Sequence, residues 1–285
     1  CCSITQGDAV QGLKYNEIAF KEAERMQDVE LVAPIGWDLC VAYGAPGEFS
    51  KVVEVAGKAL ALVESTQTEY ESFGRGFNIY SQLLGQYGYA MGMLGNFKEA
   101  GAVCEKALGF ALKINDPYAL GWTEVGYGFV LMLKGDGQNT VDHFQNAVRY
   151  LEETQTVIML PAAWNGLGWG YYLLGDMENA LEHMEKGLKM QSDMENPVLL
   201  SQHYYSLGVL HCDLGDLKKA QSFAEKALQL SQENDEIMQE GMARGLLGRV
   251  LGKADSSQGD KAEKCILQGI AILDELKLKP MVSQG

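Results

Sequence analysis

The chain has 285 residues, and its 23 basic and 38 acidic side chains give a formal net charge of −15. This charge repels nucleic-acid phosphates and anionic lipid surfaces within a Debye length of about 10 Å, so we expect neither nucleic acid nor a membrane as a direct partner. No apolar run approaches the ~18 residues that span a bilayer and no secretory signal is visible, so we predict a cytoplasmic location.

Glycine recurs at a near-constant interval from one end of the chain to the other. Each recurring glycine stands at a predicted turn, with apolar residues at helical spacing on both sides. Self-similarity at this interval is typical of stacked helical repeats, in which each unit contacts only its neighbours. The turn glycines are Gly7, Gly47, Gly95, Gly135, Gly175 and Gly215, which are 40, 48, 40, 40 and 40 residues apart.

In chain order, the repeats begin with an incomplete unit, because Gly7 and Asp8 open a second helix with no first helix before it. After Leu60 the interval is eight residues longer, and residues 66–77 are predicted to form either a lengthened first helix or a bulged connection. Residues 255–260 form a loosened turn, and Pro280 begins a further first helix. We therefore predict a single solenoid domain over residues 1–285, with about six repeats and a partial repeat at each end, as a fragment of a larger protein.

Two positions in the repeat carry small side chains. A position that tolerates only a hydrogen or a methyl group is one where two helix backbones approach closely. We therefore predict that the two helices of each unit pack tightly at these positions. The series in the second helix is Ala19, Ala59, Ala107, Ala147, Gly187 and Ala227, and the series in the first helix is Cys40, Gly88, Gly128, Gly168, Gly208 and Gly248.

The fullest copy of the repeat resembles the tetratricopeptide repeat (TPR) signature. The matching residues are Trp164, Leu167, Gly168, Tyr171, Gly175, Ala180, Met184 and Gly187. The resemblance covers nearly the whole chain and implies an all-α, right-handed superhelical solenoid of antiparallel helix pairs. Its interval exceeds the ~34 residues of standard TPRs. Longer repeats of this kind resemble those in the carboxy-terminal regions of signalling ATPases, including maltose-regulator-type transcription activators and adenylate cyclases with an attached ATPase module.

The sequence indicates no catalytic, cofactor or metal site. His143 and His183 occupy one repeat position and no HExxH pattern occurs, so both are predicted to be half-buried packing residues. The glycines around Gly168 lie in a helical repeat rather than after a strand, which excludes a dinucleotide fingerprint. The carboxylate pairs at residues 152–153 and 235–236 are predicted to be solvated near helix ends. The six cysteines lack CxxC spacing and are predicted to be reduced packing thiols.

The resemblance places the concave surface on the first helices, three residues before and one, four and five residues after the small residue. These positions are rich in aromatic side chains, which give a large contact area at low entropic cost. Such a groove suits an apolar or amphipathic peptide, a helix, or a small ligand stacked on the rings. The alternative for any single residue is packing between neighbouring first helices. The predicted groove residues are Trp37, Tyr89, Trp122, Phe129, Asn165, Trp169, Tyr172, Gln202, Tyr205, Asp213 and Arg249.

Two functions stay open at this point. The pattern favours a non-catalytic protein–protein interaction scaffold that binds a peptide or protein segment in the groove. The negative charge favours a neutral or basic partner, which includes other domains of the same polypeptide. The alternative is a ligand-sensing regulatory domain of a multidomain signalling ATPase, adenylate cyclase or transcription activator, in which a small-molecule inducer occupies the groove and changes the superhelix pitch.

Overall fold

The computed structural model describes residues 6–194, 199–278 and 280, and within them it contains helices and no strand. The all-α prediction is confirmed. A short 3₁₀ turn at Ser256–Gln258 occupies the predicted loosened turn. The α-helices of the described residues are α1 (Gln6–Met26), α2 (Val29–Gly44), α3 (Phe49–Thr66), α4 (Ile79–Met93), α5 (Phe97–Lys113), α6 (Pro117–Lys134), α7 (Gly137–Glu153), α8 (Leu160–Leu173), α9 (Met177–Asp193), α10 (Leu200–Asp213), α11 (Leu217–Glu233), α12 (Ile237–Ala254) and α13 (Gly259–Glu275).

After α1 the helices form antiparallel pairs, in which an even-numbered helix packs against the odd-numbered helix that follows it. The even-numbered helices also contact one another in sequence, from α2 through α12. They form an inner layer, and the odd-numbered helices form an outer layer. The solenoid of helix pairs predicted from the sequence is therefore confirmed.

The turn inside each pair is made by the predicted glycine. Five of the six turn glycines adopt a left-handed backbone, with φ between +80° and +91°. A residue in this conformation ends a helix by directing its N–H to the carbonyls of the last turn, and glycine does so without steric cost. Gly7 differs, because it lies inside α1. The five are Gly47, Gly95, Gly135, Gly175 and Gly215.

A second series of left-handed residues ends the outer helices. These residues are not glycines, and their φ angles lie between +53° and +62°. They were not predicted, because these residue types do not stand out as a periodic signal. They are Gln27, Gln67, Asn115, Gln155, Asp235 and Lys277.

The small residues mark close approaches between the two layers. A Cβ placed on Gly168 would lie 2.6 Å from Met184 Cγ and 2.9 Å from the backbone oxygen of Ala180, so the predicted tight packing of α8 on α9 is confirmed. The prediction is wrong for Ala19, which is exposed whereas Ala59 is fully buried. The reason is that α1 packs against α2 and no described helix covers its other face.

The longer unit contains a connection, not a longer helix. Residues 67–78 join α3 to α4, which agrees with the bulged alternative. Asn78 fixes the connection, because its Oδ1 accepts a hydrogen bond of 2.9 Å from the N–H of Ser81 and its Nδ2 donates one of 2.8 Å to the carbonyl of Glu69. Phe77 packs on Trp37, with ring centroids 5.0 Å apart. The connection therefore covers this part of the inner layer.

The last helices pack against the first repeats, so the spiral closes on itself. A Cβ placed on Gly47 would lie 3.2 Å from Leu276 Cδ1 and 3.3 Å from Met238 Cβ. Leu278 has no exposed surface and belongs to the same hydrophobic cluster as Phe49. The amino end of α12 and the carboxyl end of α13 are thereby held against the turn between α2 and α3.

Candidate functional site

The inner helices line two adjoining cavities, which we call the lumen. The amino-end compartment has a volume of about 630 Å³ and is lined mainly by the amino-terminal halves of α4, α6, α8, α10 and α12. The carboxyl-end compartment has a volume of about 390 Å³ and is lined by the carboxyl-terminal halves of α4, α6 and α8, by residues along α10 and α12, and by the turn after α2. The two compartments share a waist that includes Tyr89, Phe129, Gln202 and Gln239.

One repeat position supplies a lumen residue from every inner helix. This position directly follows the small residue, so it lies on the helix face next to the close contact with the outer layer. Residues three or four positions away lie on the same face, which explains why Met93, Met132 and Tyr172 also line the lumen. The residues at this position are Val41, Tyr89, Phe129, Trp169, Val209 and Arg249.

The carboxyl-end compartment has a wall of interlocked aromatic rings. Trp169 is stacked on Tyr205 with centroids 6.3 Å apart, and it meets Tyr172 edge-on at 5.2 Å. The indole Nε1 of Trp169 donates a hydrogen bond of 2.9 Å to Ser206 Oγ. Burial raises the pKa of Tyr205 to about 12, so its phenol stays neutral at physiological pH. These contacts hold the rings in fixed orientations.

A charged network closes one side of the carboxyl-end compartment. Asp213 accepts a hydrogen bond of 2.5 Å from the Tyr172 hydroxyl, and its other oxygen lies 3.2 Å from Arg249 Nη2 and 3.4 Å from Lys253 Nζ. Burial alone would raise the pKa of Asp213, but the Tyr172 hydrogen bond and the two cations outweigh it and lower the pKa below its usual value. The network therefore carries one net positive charge and orients Arg249 at the lumen wall.

The amino-end compartment carries the acidic side of the lumen. Glu236 is half-buried and accepts a hydrogen bond from Ser201 Oγ, whereas Asp235 is exposed. Burial raises the pKa of Glu236 above its usual value, and the hydrogen bond from Ser201 opposes that effect. The prediction that both carboxylates are solvated is therefore correct for Asp235 and wrong for Glu236. The reason is that Glu236 lies at the start of α12, where it is part of the lumen lining.

The structure brings eight of the eleven predicted groove residues to the lumen. Three lie elsewhere. Trp37 packs beside Phe77. Asn165 is 1% exposed and donates a hydrogen bond to Ser206. Asp213 lies behind the lumen wall, where it contacts the lining residues Tyr172 and Arg249. The eight that line it are Tyr89, Trp122, Phe129, Trp169, Tyr172, Gln202, Tyr205 and Arg249.

Sequence reasoning missed several lumen residues on α4 and α12. Gln82 lies on the same face of α4 as Tyr89, seven residues earlier, and helical periodicity could have found it. Met238, Gln239 and Met242 enter the lumen wall where the spiral closes. That closure has no signal in the repeat pattern, because it depends on how the helix pairs are rotated relative to one another.

The predicted packing histidines are half-buried between the layers. His143 Nδ1 lies 2.5 Å from a carboxylate oxygen of Glu124, and its ring packs on Tyr127. His183 lies between Trp164 and Tyr171. Both contacts join an inner helix to its outer partner, so the packing prediction is confirmed.

The described part of the chain carries no group of His, Cys, Asp and Glu side chains that could hold a metal ion. Burial raises the pKa of both Cys40 and Cys104 to about 12, so neither thiol supplies a thiolate nucleophile at neutral pH. Across the same residues, every helix is too short or too polar to cross a membrane.

Comparison with known proteins agrees with this architecture. Residues 161–194 and 202–234, which correspond to α8–α9 and α10–α11, match the tetratricopeptide repeat family. No curated protein sequence matches the chain. Neither result indicates a catalytic family, and the TPR-like scaffold is of a type typical of protein–protein interaction.

Several solved structures share the fold. The apo form of RapI is 10% identical with a TM-score of 0.70, over 98% of this chain and 94% of that chain. A Rap protein complexed with competence and sporulation factor is 14% identical with a TM-score of 0.65, and the match covers 89% of this chain and 72% of that chain. The third structure is a signal transduction ATPase with numerous domains from Pyrococcus horikoshii, which carries a tetratricopeptide repeat sensor. It is 22% identical with a TM-score of 0.55, and the match covers 90% of this chain and 40% of that chain.

Proposed function

We propose that this chain is a non-catalytic binding module that holds a peptide or protein segment in its lumen. The observation that carries the proposal is the wall of oriented aromatic rings at Trp169, Tyr172 and Tyr205. Aromatic anchors in a desolvated pocket contribute a large part of the binding energy of protein interfaces. The overall charge of −15 favours a neutral or basic partner over an acidic one. We place this activity in the cytoplasm.

The test compares peptide binding by the wild type with binding by a variant that alters the aromatic wall but leaves no cavity in it. Trp169→Phe keeps an aromatic ring but loses the indole edge and its hydrogen bond to Ser206. We expect it to weaken binding of a peptide selected on the wild-type protein by about tenfold, or ~1.4 kcal/mol. The measurement is isothermal titration calorimetry after selection from a displayed peptide library.

Trp164→Phe is the matched control. Trp164 packs on His183 and Lys186 outside the lumen, so this variant should bind like the wild type. Equal affinities for all three proteins would contradict the lumen as the binding site.

A second candidate is a ligand-sensing regulatory domain that binds a small-molecule inducer. The observation in its favour is the carboxyl-end compartment, whose volume of about 390 Å³ lies within the ~300–1,000 Å³ range of small-ligand sites. The longer repeat interval and the fold shared with a repeat sensor of a signalling ATPase support it. A thermal-shift screen with pooled metabolites distinguishes the two, because a hit that Trp169→Phe abolishes would favour the inducer.

A further inference from the structure

One cation lines an otherwise uncharged compartment. Among the described residues that line the carboxyl-end compartment, Arg249 is the charged one. The other lining side chains are aromatic rings, methionines, aliphatic groups, amides and a serine. A charge beside apolar surface is stabilised by a partner of opposite charge or by hydrogen bonds. Arg249 therefore determines which charged group a ligand in this compartment can present.

Arg249 has hydrogen-bonding capacity that the fold leaves unused. It meets Asp213 through Nη2, at 3.2 Å, and the same Asp213 oxygen also lies 3.4 Å from Lys253 Nζ. Arginine can hold a carboxylate with two nitrogens, but Arg249 Nη1 donates no hydrogen bond to an oxygen of the described residues. Nη1 is not among the enclosed atoms, and the Arg249 side chain keeps 27% of its surface exposed. A donor is therefore left for a ligand at the lumen wall.

The local charge is positive although the chain as a whole is acidic. Asp213 offsets one of the two cations, Arg249 and Lys253, so one positive charge remains. The acidic residues of the lumen lining belong to the amino-end compartment, and Glu236 precedes Arg249 by about 20 Å of helix at 1.5 Å per residue. Charges separated by more than a Debye length of about 8 Å are largely screened in water. The net charge of −15 is therefore compatible with an anion beside Arg249.

The rest of the compartment suits an apolar body. Burial raises the pKa of Tyr205 to about 12, and the positive charge of Arg249 opposes that effect, so the guanidinium lies near the aromatic wall. The volume of about 390 Å³ is within the range of small-ligand sites. Methionine side chains are unbranched and adapt to the shape of what they contact. Those of the lining are Met93, Met132, Met238 and Met242.

We propose that the carboxyl-end compartment binds a small amphipathic carboxylate, whose anionic group accepts a hydrogen bond from Arg249 Nη1 and whose apolar body packs on Trp169 and Tyr205. Asp213 holds the guanidinium in place through Nη2, and Lys253 supplies the net positive charge. This inference rests on the second candidate function, the binding of a small-molecule inducer. It adds the chemical class of that molecule and the residue that recognises its charge.

The probes share one tail and differ in the head group. Decanoate carries the carboxylate, decanamide is its uncharged counterpart, and decylammonium carries the opposite charge. We expect decanoate to bind the full chain at least tenfold more tightly than decanamide in isothermal titration calorimetry at neutral pH, because hydrogen bonds between charged groups are the stronger ones. Decylammonium should bind most weakly. Indolepropionate and its amide repeat the comparison with an aromatic body.

Arg249→Gln removes the cation and keeps an amide at the wall. We expect it to weaken decanoate binding at least tenfold and to leave decanamide binding unchanged. Because the single variant deprives Asp213 of a partner, the double variant Asp213→Asn with Arg249→Gln removes both charges of the pair and should show the same loss. Arg244→Gln is the matched control. Arg244 lies on the same helix, pairs with Glu240 at 2.7 Å and is absent from the described lumen lining, so this variant should bind decanoate like the wild type.

A second measurement tests the charge pairing directly. Decanoate with an isotopically labelled carboxyl carbon is titrated while bound and followed by NMR, over the pH range in which circular dichroism shows a folded protein. A neighbouring guanidinium lowers the pKa of a carboxyl group, whereas burial in an apolar pocket raises it. The pKa of decanoate bound to the wild type should lie below its value in water, and in the double variant above it. A raised pKa on the wild type would contradict the contact with Arg249.

The outcomes separate this inference from the candidate function on which it rests. If decanoate and decanamide bind equally well and Arg249→Gln changes neither affinity, the inference fails and small-molecule binding stands. If decylammonium binds most tightly, the inference is overturned in favour of a cationic ligand. If neither these probes nor pooled metabolites bind, the second candidate function fails together with the inference, and peptide binding remains.

Discussion

At the scale of single residues, burial controls the chemistry of the polar groups. His203 is the strongest case, because it is 1% exposed and its Nδ1 has no hydrogen-bond partner within the described residues. Burial lowers its pKa from 6.5 to about 4. The imidazole is therefore neutral in the folded protein at every pH above that value.

This residue predicts a dependence of stability on pH. As the pH falls from 6.5 to about 4, the unfolded chain binds a proton at His203 that the folded chain does not. The free energy of unfolding should fall over that window by up to ~1.4 kcal/mol per pH unit. Urea titrations of the wild type and His203→Gln at several pH values measure it, and the variant should have the shallower slope. Burial also lowers the pKa of His183 and His211. The wild type and His203→Gln both retain these two histidines, so the difference between their slopes reports His203. Parallel slopes would contradict the account of His203.

At the scale of helices, the small residues set the distance between the inner and outer layers. A Cβ on Gly168 would meet the backbone of α9, which cannot move aside as a flexible side chain could. Gly109 on α5 has no such neighbour. It is exposed, and nothing lies within 4 Å of a Cβ placed on it.

Two alanine substitutions should therefore have opposite effects. Gly168→Ala overpacks the contact between α8 and α9 and should lower the free energy of unfolding by roughly 1–3 kcal/mol. Gly109→Ala should raise it by about 0.5–1 kcal/mol, because alanine is the better helix former. Chemical denaturation followed by circular dichroism measures both changes. Equal effects of the two substitutions would remove the evidence that Gly168 is a site of close approach.

At the scale of the whole molecule, closure of the spiral brings the last helices against the first repeats and adds α12 to the wall of the lumen. Leu278 is fully buried in the hydrophobic cluster that joins the last helices to the first repeats, and Leu276 packs against the same cluster. A solenoid whose units contacted only their neighbours would leave these leucines exposed. The closure therefore adds a contact between residues that are far apart in the sequence.

Leu278→Ala should weaken the closure. Removing a fully buried leucine side chain costs ~2–5 kcal/mol where the site cannot collapse, and we expect a larger radius of gyration in small-angle X-ray scattering. Leu267→Ala is the control, since Leu267 is 56% exposed on α13. An unchanged radius and stability for Leu278→Ala would show that the closure contributes nothing to the fold.

The repeat pattern predicted the helix pairs and much of the lumen, for a physical reason. A helical face and a fixed interval are local properties, so the position after each small residue could be assigned to one surface, as it was for Tyr89, Phe129 and Trp169. Asn165 was misplaced because its neighbour α10 comes close enough to bury it against Ser206. Gln239 was missed because its place in the lumen depends on closure. Closure results from small rotations summed over all repeats, which no single repeat encodes.

The central claim is that the spiral closes around the lumen, and a disulfide crosslink tests it most directly. The double variant Gly47→Cys with Met238→Cys places two thiols across the seam, where the Cβ atoms would be 3.3 Å apart, close to the ~3.8 Å typical of disulfides. Gly135→Cys with Met238→Cys is the control, because Gly135 has the same left-handed backbone and nothing within 4 Å of a Cβ. Mild oxidation followed by peptide mapping should find the crosslink within single chains of the first variant and not in the control. A first variant whose two new thiols stay reduced in the monomer would contradict the closed spiral.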